Sequence, residues 1–178
     1  RQKHVDVVIG RLPRVYVPSM LWSDTKAISQ FIKNGAKSED IVLKSRGDQL
    51  YSYCYAADAA AALLTILLKG EAGQAYNISD RESDITLRDL AQLIAGRAGV
   101  SVRFELPDEA EQAGYSKATK ALLSSDKIRA LGWSAHWDIR RGVAETIDYL
   151  ARALESDGGL ARESGTAGSL AGESRTAG

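Results

Sequence analysis

The stretch RLPRVYVPSM, residues 11–20, follows the apolar run VDVVIG at residues 5–10. That run is short and rich in β-branched residues, which is typical of a buried strand. We therefore predict a strand over Val5–Ile9 that ends in a turn with two arginines, a tyrosine and two prolines. Because open α/β sheets bind ligands at the carboxyl ends of their strands, this turn indicates a substrate site. A strand this close to residue 1 has nothing upstream to pair with, so we expect its partner strands to belong to another half of the protein that precedes residue 1.

Predicted strands and helices alternate after this turn, and that order is typical of an α/β protein. Helices are expected to start near Asp24, Asp58, Thr86 and Asp138, since each of these side chains can cap a first turn. The pattern stops after Leu154. The segments LARESGTAG and SLAGESRTAG are near-copies with one leucine each and no aromatic residue, so they cannot bury enough surface to fold. The sequence therefore predicts a folded unit over 1–154 and a disordered Gly/Ala/Ser-rich tail over 155–178.

The composition argues against several classes of function. The 178 residues carry 23 basic and 23 acidic side chains, whereas a nucleic-acid binder usually has a basic excess or stripe. No apolar stretch approaches the roughly 20 residues of a membrane span. The single cysteine excludes an internal disulfide and suits a reducing cytoplasm, and the two histidines are too far apart in sequence to form a metal-ligand pattern.

Five motifs occur in an order that resembles one known family. These are RLPRVYVP, GDQLYSYCYAADAAAAL, GQAYNISD, LRDLAQLIAGRAG and KIRALGW. Residues 5 to about 150 resemble the C-terminal half of the extended short-chain dehydrogenases, the NAD-dependent epimerases and dehydratases of nucleotide sugars. The resemblance implies the C-terminal part of a Rossmann-type sheet with a small substrate-binding α/β subdomain. It also implies a UDP- or dTDP-linked sugar as ligand and, for the complete enzyme, tightly held NAD and a homodimer.

The resemblance places candidate ligand contacts in the turn that follows the first strand. Arg11, Tyr16 and Pro18 match an Arg-x-x-x-x-Tyr-Gly-Pro signature beside the sugar and the nicotinamide, so Tyr16 is a candidate for the substrate and Pro18 for the cofactor. Val17 replaces the glycine of that signature, and a β-branched residue does not adopt positive φ cheaply, so we expect a different turn or strain. Arg14 stands where the family often has a polar residue that touches the substrate; a solvated surface arginine is the alternative.

The remaining candidates lie further along the chain. Lys26 is near the start of a helix that points at the substrate diphosphate in the family, although a first-turn lysine facing water is the slightly favoured interpretation of Lys26 taken alone. Lys44 falls on the strand that contacts the base. Tyr51 stands where the family usually has an arginine that clamps the diphosphate, and tyrosine brings no charge. Lys120, together with Lys117, is expected to supply that charge, and Asp58 is interpreted as a structural cap.

Two motifs that the family's chemistry needs are not found in the sequence. No glycine-rich strand-to-helix turn occurs, and no tyrosine is followed four positions later by lysine. We therefore expect a substrate-binding half with no catalytic residue of its own. The alternative is a non-catalytic module that binds a nucleotide sugar or a partner chain.

Overall fold

The computed structural model describes residues 5–106 and 119–166, with strands and helices in alternation. The strands are β1 (Ile9–Arg11), β2 (Arg14–Tyr16), β3 (Ile41–Leu43), β4 (Leu50–Tyr55), β5 (Ala75–Asn77), β6 (Asp84–Thr86), β7 (Val102–Phe104) and β8 (Lys120–Ala121). The helices are α1 (Ala27–Ala36), α2 (Ala56–Lys69), α3 (Leu87–Ala98), α4 (Asp126–Arg129) and α5 (Ile139–Thr166). This order confirms the predicted α/β class. None of the helices in the described ranges is both long and apolar enough to cross a membrane.

Strand β4 organises the largest sheet. It pairs in parallel with β2 and β8 and antiparallel with β6. Two further parallel pairs, β1 with β5 and β3 with β7, complete the strand pairing in the described residues. Parallel strands are usually covered by helices. Accordingly, α1, α3 and α5 pack against β2, β3 and β4 in one core, and α2 packs with β5 and the α4 region in a second core.

Two helices begin as the sequence predicts. The Thr86 hydroxyl accepts the backbone N–H of Asp89 at 3.0 Å at the start of α3. The Asp138 carboxylate likewise accepts the N–H of Arg141 at 2.8 Å at the start of α5. Each bond satisfies a backbone donor that a helix leaves free in its first turn. The expected cap at the start of α1 is displaced, because Asp24 accepts the N–H of Lys26 instead.

The predicted buried strand over Val5–Ile9 is wrong in its bounds and in its burial. Strand β1 begins only at Ile9, and Val5, Val7 and Ile9 are 73%, 55% and 50% exposed. The reason is that β1 pairs on one side only, with β5, so its outward side chains meet no covering layer among the described residues. On α2, Leu67 and Leu68 are also largely exposed.

The last helix extends past the predicted boundary at Leu154. Helix α5 continues to Thr166, because helix propagation adds one backbone hydrogen bond for each residue and the sequence after Leu154 has no proline to stop it. The segment 155–166 is therefore helical, and the division into a folded unit over 1–154 and a tail over 155–178 stays a prediction. Residues 167–178 lie outside the described residues, and disorder there stays a prediction.

A buried carboxylate ties the first turn of α2 to the loop before α5. Asp58 is 2% exposed, and its two carboxylate oxygens accept the backbone N–H groups of His136 and Trp137 at 3.1 and 2.8 Å. The indole N–H of Trp133 donates to the Asp58 carbonyl at 3.3 Å. Asp58 is thus structural, as predicted, but it holds a loop almost eighty residues away rather than capping its own helix.

Replacing Asp58 with alanine is expected to lower the free energy of unfolding by about 3 kcal/mol, because two backbone N–H groups lose a buried, charged acceptor. Asp58→Asn keeps one acceptor oxygen and should lose about half as much. Urea unfolding followed by circular dichroism measures both values. The control is Asp148→Asn, which breaks an exposed ion pair with Arg97 and should cost less than about 1 kcal/mol. Equal losses for Asp58→Ala and the control would contradict the assignment.

The buried hydroxyl and thiol groups of the sheet predict a loss of stability at alkaline pH. Burial raises the pKa of Cys54 from 9.0 to about 12 and the pKa of Tyr53 from 10.0 to about 12. Between the ordinary and the raised pKa values, Cys54 and Tyr53 ionise in the unfolded chain but stay protonated in the folded chain. The free energy of unfolding therefore falls as pH rises from about 9 towards 12. Cys54→Ala should make that decline shallower in urea titrations at several pH values. An unchanged slope would contradict the prediction.

Candidate functional site

A cavity of about 520 Å³ opens between the β2–β4 surface and the start of α1. Its size lies within the range of small-molecule sites. The residues that line it come from four places in the chain: Arg14; Thr25, Lys26, Ala27, Ile28, Gln30 and Phe31; Val42, Leu43, Lys44 and Ser45; and Gln49, Tyr51, Tyr53 and Leu87. Four of the predicted site residues, Arg14, Lys26, Lys44 and Tyr51, therefore share one cavity.

The floor of the cavity is set by the register of two parallel strands. Arg14 lies opposite Tyr53 in the β2–β4 ladder. Side chains two positions apart on a strand share a face, so Tyr51 projects beside Tyr53. The Arg14 guanidinium lies over the Tyr51 ring, with its central carbon 3.4 Å from the ring centroid. A planar cation is thus stacked on an aromatic face at the bottom of the cavity.

The wall opposite is the loop that leads into α1. Lys33 is 5% exposed, and its ammonium donates to the backbone carbonyls of Trp22 and Asp24 at 2.8 and 2.6 Å. A buried ammonium needs such acceptors, so Lys33 fixes this loop from below. The Asp24 carboxylate binds the Lys26 ammonium at 3.1 Å and the Ser29 hydroxyl at 3.0 Å. The hydrogen bond from the Lys26 backbone N–H, followed by these side-chain bonds, lowers the pKa of Asp24.

The lining of the cavity is cationic. Its charged members among the described residues are Arg14, Lys26 and Lys44, and no carboxylate belongs to that lining. Asp24 neutralises Lys26 locally, whereas the five salt bridges of the described residues include neither Arg14 nor Lys44. The arrangement suits an anionic ligand with an apolar part, because Phe31, Leu43 and other apolar side chains complete the walls.

Tyr16, a predicted substrate contact, lies in the core instead. It is 3% exposed, its ring packs edge-to-face on Tyr55 with centroids 5.6 Å apart, and Tyr55 stacks on Trp137 at 4.7 Å. The start of α5 covers this end of the β2–β4 face, and the Tyr16 hydroxyl lies directly against Gly142, where any Cβ would overlap it. Burial raises the pKa of Tyr16 well above its usual value.

Lys120 and Pro18 also lie outside the cavity lining. Lys120 is exposed on β8, beside Leu50 in the ladder, and its proposed helper Lys117 lies outside the described residues. Pro18 is the second residue of a turn closed by a 3.2 Å bond from the Met20 N–H to the Val17 carbonyl. Val17 has negative φ, since Ser38 is the non-glycine residue with positive φ in the described part of the chain. The turn thus differs from a glycine-containing one and avoids strain.

Sequence reasoning missed several lining residues that its own rules could have found. Tyr53 follows Tyr51 by two positions on a strand and so shares its face. Gln30 follows Lys26 by four positions, one turn along the helix, and so also faces the cavity. Gln49 and Leu87 come from connections whose position depends on tertiary packing, and no local pattern marks them.

The described residues do not form a dinucleotide cradle. Such a cradle needs a glycine turn between a strand and a helix, so that a pyrophosphate can approach backbone N–H groups. Here β4 runs directly into α2 through Tyr55 and Ala56, without a glycine. Gly73, which has positive φ, connects a helix to a strand, the reverse order. These residues therefore do not fit the pyrophosphate of NAD.

The known proteins that this chain is similar to are consistently epimerases and dehydratases. Residues 1–79 match the model of the "NAD dependent epimerase/dehydratase family". The chain is 30% identical to dTDP-D-glucose 4,6-dehydratase of Mus musculus over 146 residues, which cover 80% of this chain and 40% of the relative. It is 28% identical to dTDP-glucose 4,6-dehydratase 1 of Escherichia coli K12 over 131 residues, 70% of this chain and 36% of the relative. The chain thus spans well under half of the length of these relatives.

A solved structure shares the fold. UDP-glucose 4-epimerase of Thermotoga maritima, crystallised with UDP-glucose, superposes with a TM-score of 0.73 at 21% identity, over 84% of this chain and 47% of that chain. The agreement confirms that the described elements form part of a Rossmann-type α/β fold.

Replacing Tyr16 with phenylalanine tests its assignment to the core. Its hydroxyl is buried and has no hydrogen-bond partner among the described residues, so removing it should leave the protein as stable or raise the free energy of unfolding by about 1 kcal/mol. Thermal unfolding measures this change. Any affinity that the unmodified chain shows for UDP should stay the same in the variant; a tenfold loss, on the order of 1.4 kcal/mol, would contradict the assignment of Tyr16 to the core.

Proposed function

We propose that this chain, which belongs to the NAD-dependent epimerase/dehydratase family, is the nucleotide-sugar-binding portion of such an enzyme. The observation that carries the proposal is the cationic cavity between β2, β4 and α1. It combines three cations, no carboxylate in its described lining, and aromatic and aliphatic walls. A nucleoside diphosphate sugar has the complementary chemistry, with two phosphates beside a flat base and a sugar.

Different regions of the cavity suit the diphosphate and the base of such a ligand. Cations at the floor and at the start of α1 suit the diphosphate, since phosphate oxygens accept charge-assisted hydrogen bonds. The end of β3, with Leu43 and Lys44, is the side for the base. Lys44 is not aromatic, so the base would be held by apolar contact and backbone groups rather than by stacking on that side chain.

The redox step would belong to residues outside this chain. In the complete enzyme NAD would accept hydride from the sugar and leave a 4-keto intermediate, and the residues described here fit neither the pyrophosphate cradle nor a tyrosine–lysine base. The contribution of this chain is to bind and orient the sugar nucleotide. We infer that the chain alone has no turnover.

A non-catalytic module is the second candidate, favoured by the exposed apolar side chains of α2 and of the segment before β1. Val7, Leu67 and Leu68 are 55%, 70% and 80% exposed, an arrangement that suits contact with another protein surface. A module of this kind that only binds a partner chain would show no affinity for nucleotides, whereas the leading proposal requires it.

Calorimetric titration of the 178-residue chain with UDP and with dTDP tests the proposal. We expect saturable binding of at least one of them, and a weaker affinity after Lys44→Gln. In a parallel assay, UDP-glucose or dTDP-glucose plus NAD should give neither NADH absorbance nor a new sugar product. No heat with either nucleotide would overturn the binding proposal, and turnover would overturn the claim that the chain is inactive alone.

A further inference from the structure

The cavity floor contains an arginine that is held in an unusual way for a surface cation. Arg14 stacks on Tyr51 at 3.4 Å, and Tyr51 itself is 9% exposed. Stacking uses the flat face of the guanidinium and leaves its in-plane N–H groups free to donate. A buried aromatic ring thus fixes the orientation of the fork without using its donors.

The other cations are less suited to the same task. The Lys26 ammonium binds both carboxylate oxygens of Asp24, at 3.1 and 3.2 Å, which offsets its charge. Lys44 is exposed and is a point charge without a planar fork. Lys120, expected to provide the charge that Tyr51 lacks, lies outside the cavity lining. Arg14 is in none of the salt bridges of the described residues.

We propose that Arg14, held flat against Tyr51, is the diphosphate-binding side chain of this pocket, and that Tyr51 is its positioning residue. This inference rests on the proposed nucleotide-sugar site. The resemblance puts an arginine at position 51 and a polar residue at position 14. In this chain the arginine is on β2 and its platform is on β4, and the pairing of these strands brings both positions to the same place.

The test compares the affinities of UDP and uridine, because their ratio isolates the contribution of the phosphates. The wild-type chain should bind UDP at least about tenfold more tightly. Arg14→Gln should bring the ratio close to one, and Arg14→Lys should keep only part of it. Arg14 is only half-buried, so its variants should fold, and unfolding curves check this.

Variants of Tyr51 separate positioning from packing. Tyr51→Phe keeps the ring face and should retain most of the ratio, whereas Tyr51→Leu should lower it. The double variant Arg14→Gln/Tyr51→Arg should restore the ratio, because the guanidinium returns to the same volume from the neighbouring strand. If Tyr51→Leu does not fold, Arg14→Gln and the double variant decide the question.

The matched control is Arg141→Gln, which removes a second arginine stacked on an aromatic ring, that of Trp137 at 4.0 Å, outside the cavity lining. Its UDP-to-uridine ratio should equal that of the wild type. A full ratio in Arg14→Gln, or equal affinities of UDP and uridine in the wild type, would overturn this inference and leave nucleotide binding standing. If the wild-type chain bound neither UDP nor uridine, both this inference and the proposed nucleotide binding would be overturned.

Discussion

The parallel register of β2 and β4 is the constraint on which the rest of the structure depends. It sets Arg14 opposite Tyr53 and Tyr16 opposite Tyr55, all on one face. A shift of either strand by one residue would turn that strand's side chains to the other face. The half of the face with Arg14, Tyr51 and Tyr53 remains open and forms the cavity floor. The other half is closed by α5, so the same alternation gives a ligand surface and a core.

What keeps the second half closed is the link between Asp58 and the loop before α5. The Asp58 carboxylate accepts two backbone N–H groups of that loop, and Trp137 then stacks on Tyr55. Arg141 lies over the outer face of Trp137. A carboxylate in the first turn of α2 thus determines where α5 begins, and thereby where the open part of the β2–β4 face ends. Stability and the shape of the cavity depend on the same hydrogen bonds.

The sequence predicted the elements whose signals are local. Thr86 and Asp138 cap helices because the acceptor and its donor are three positions apart. Lys26 and Tyr51 reach the cavity because a helix and a strand begin there. Tyr16 could not be placed in this way, since its burial depends on α5, which arrives more than a hundred residues later. The bounds of β1 were missed because Val5–Ile9 has the composition of a buried strand whether or not a neighbour covers it.

Position 14 shows why a residue-by-residue reading of a family pattern has a physical limit. Such a reading asks whether the charge is present at position 51 and finds a neutral tyrosine. A bound ligand would, however, interact with the guanidinium wherever it originates in the sequence. Strands β2 and β4 place side chains in the same volume from positions almost forty residues apart. An arginine on β2, in place of the one that the resemblance puts on β4, would therefore leave the charge of the cavity floor unchanged. Tyr51, at the position on β4, adds a rigid face against which Arg14 is oriented, whereas an arginine there would repel Arg14.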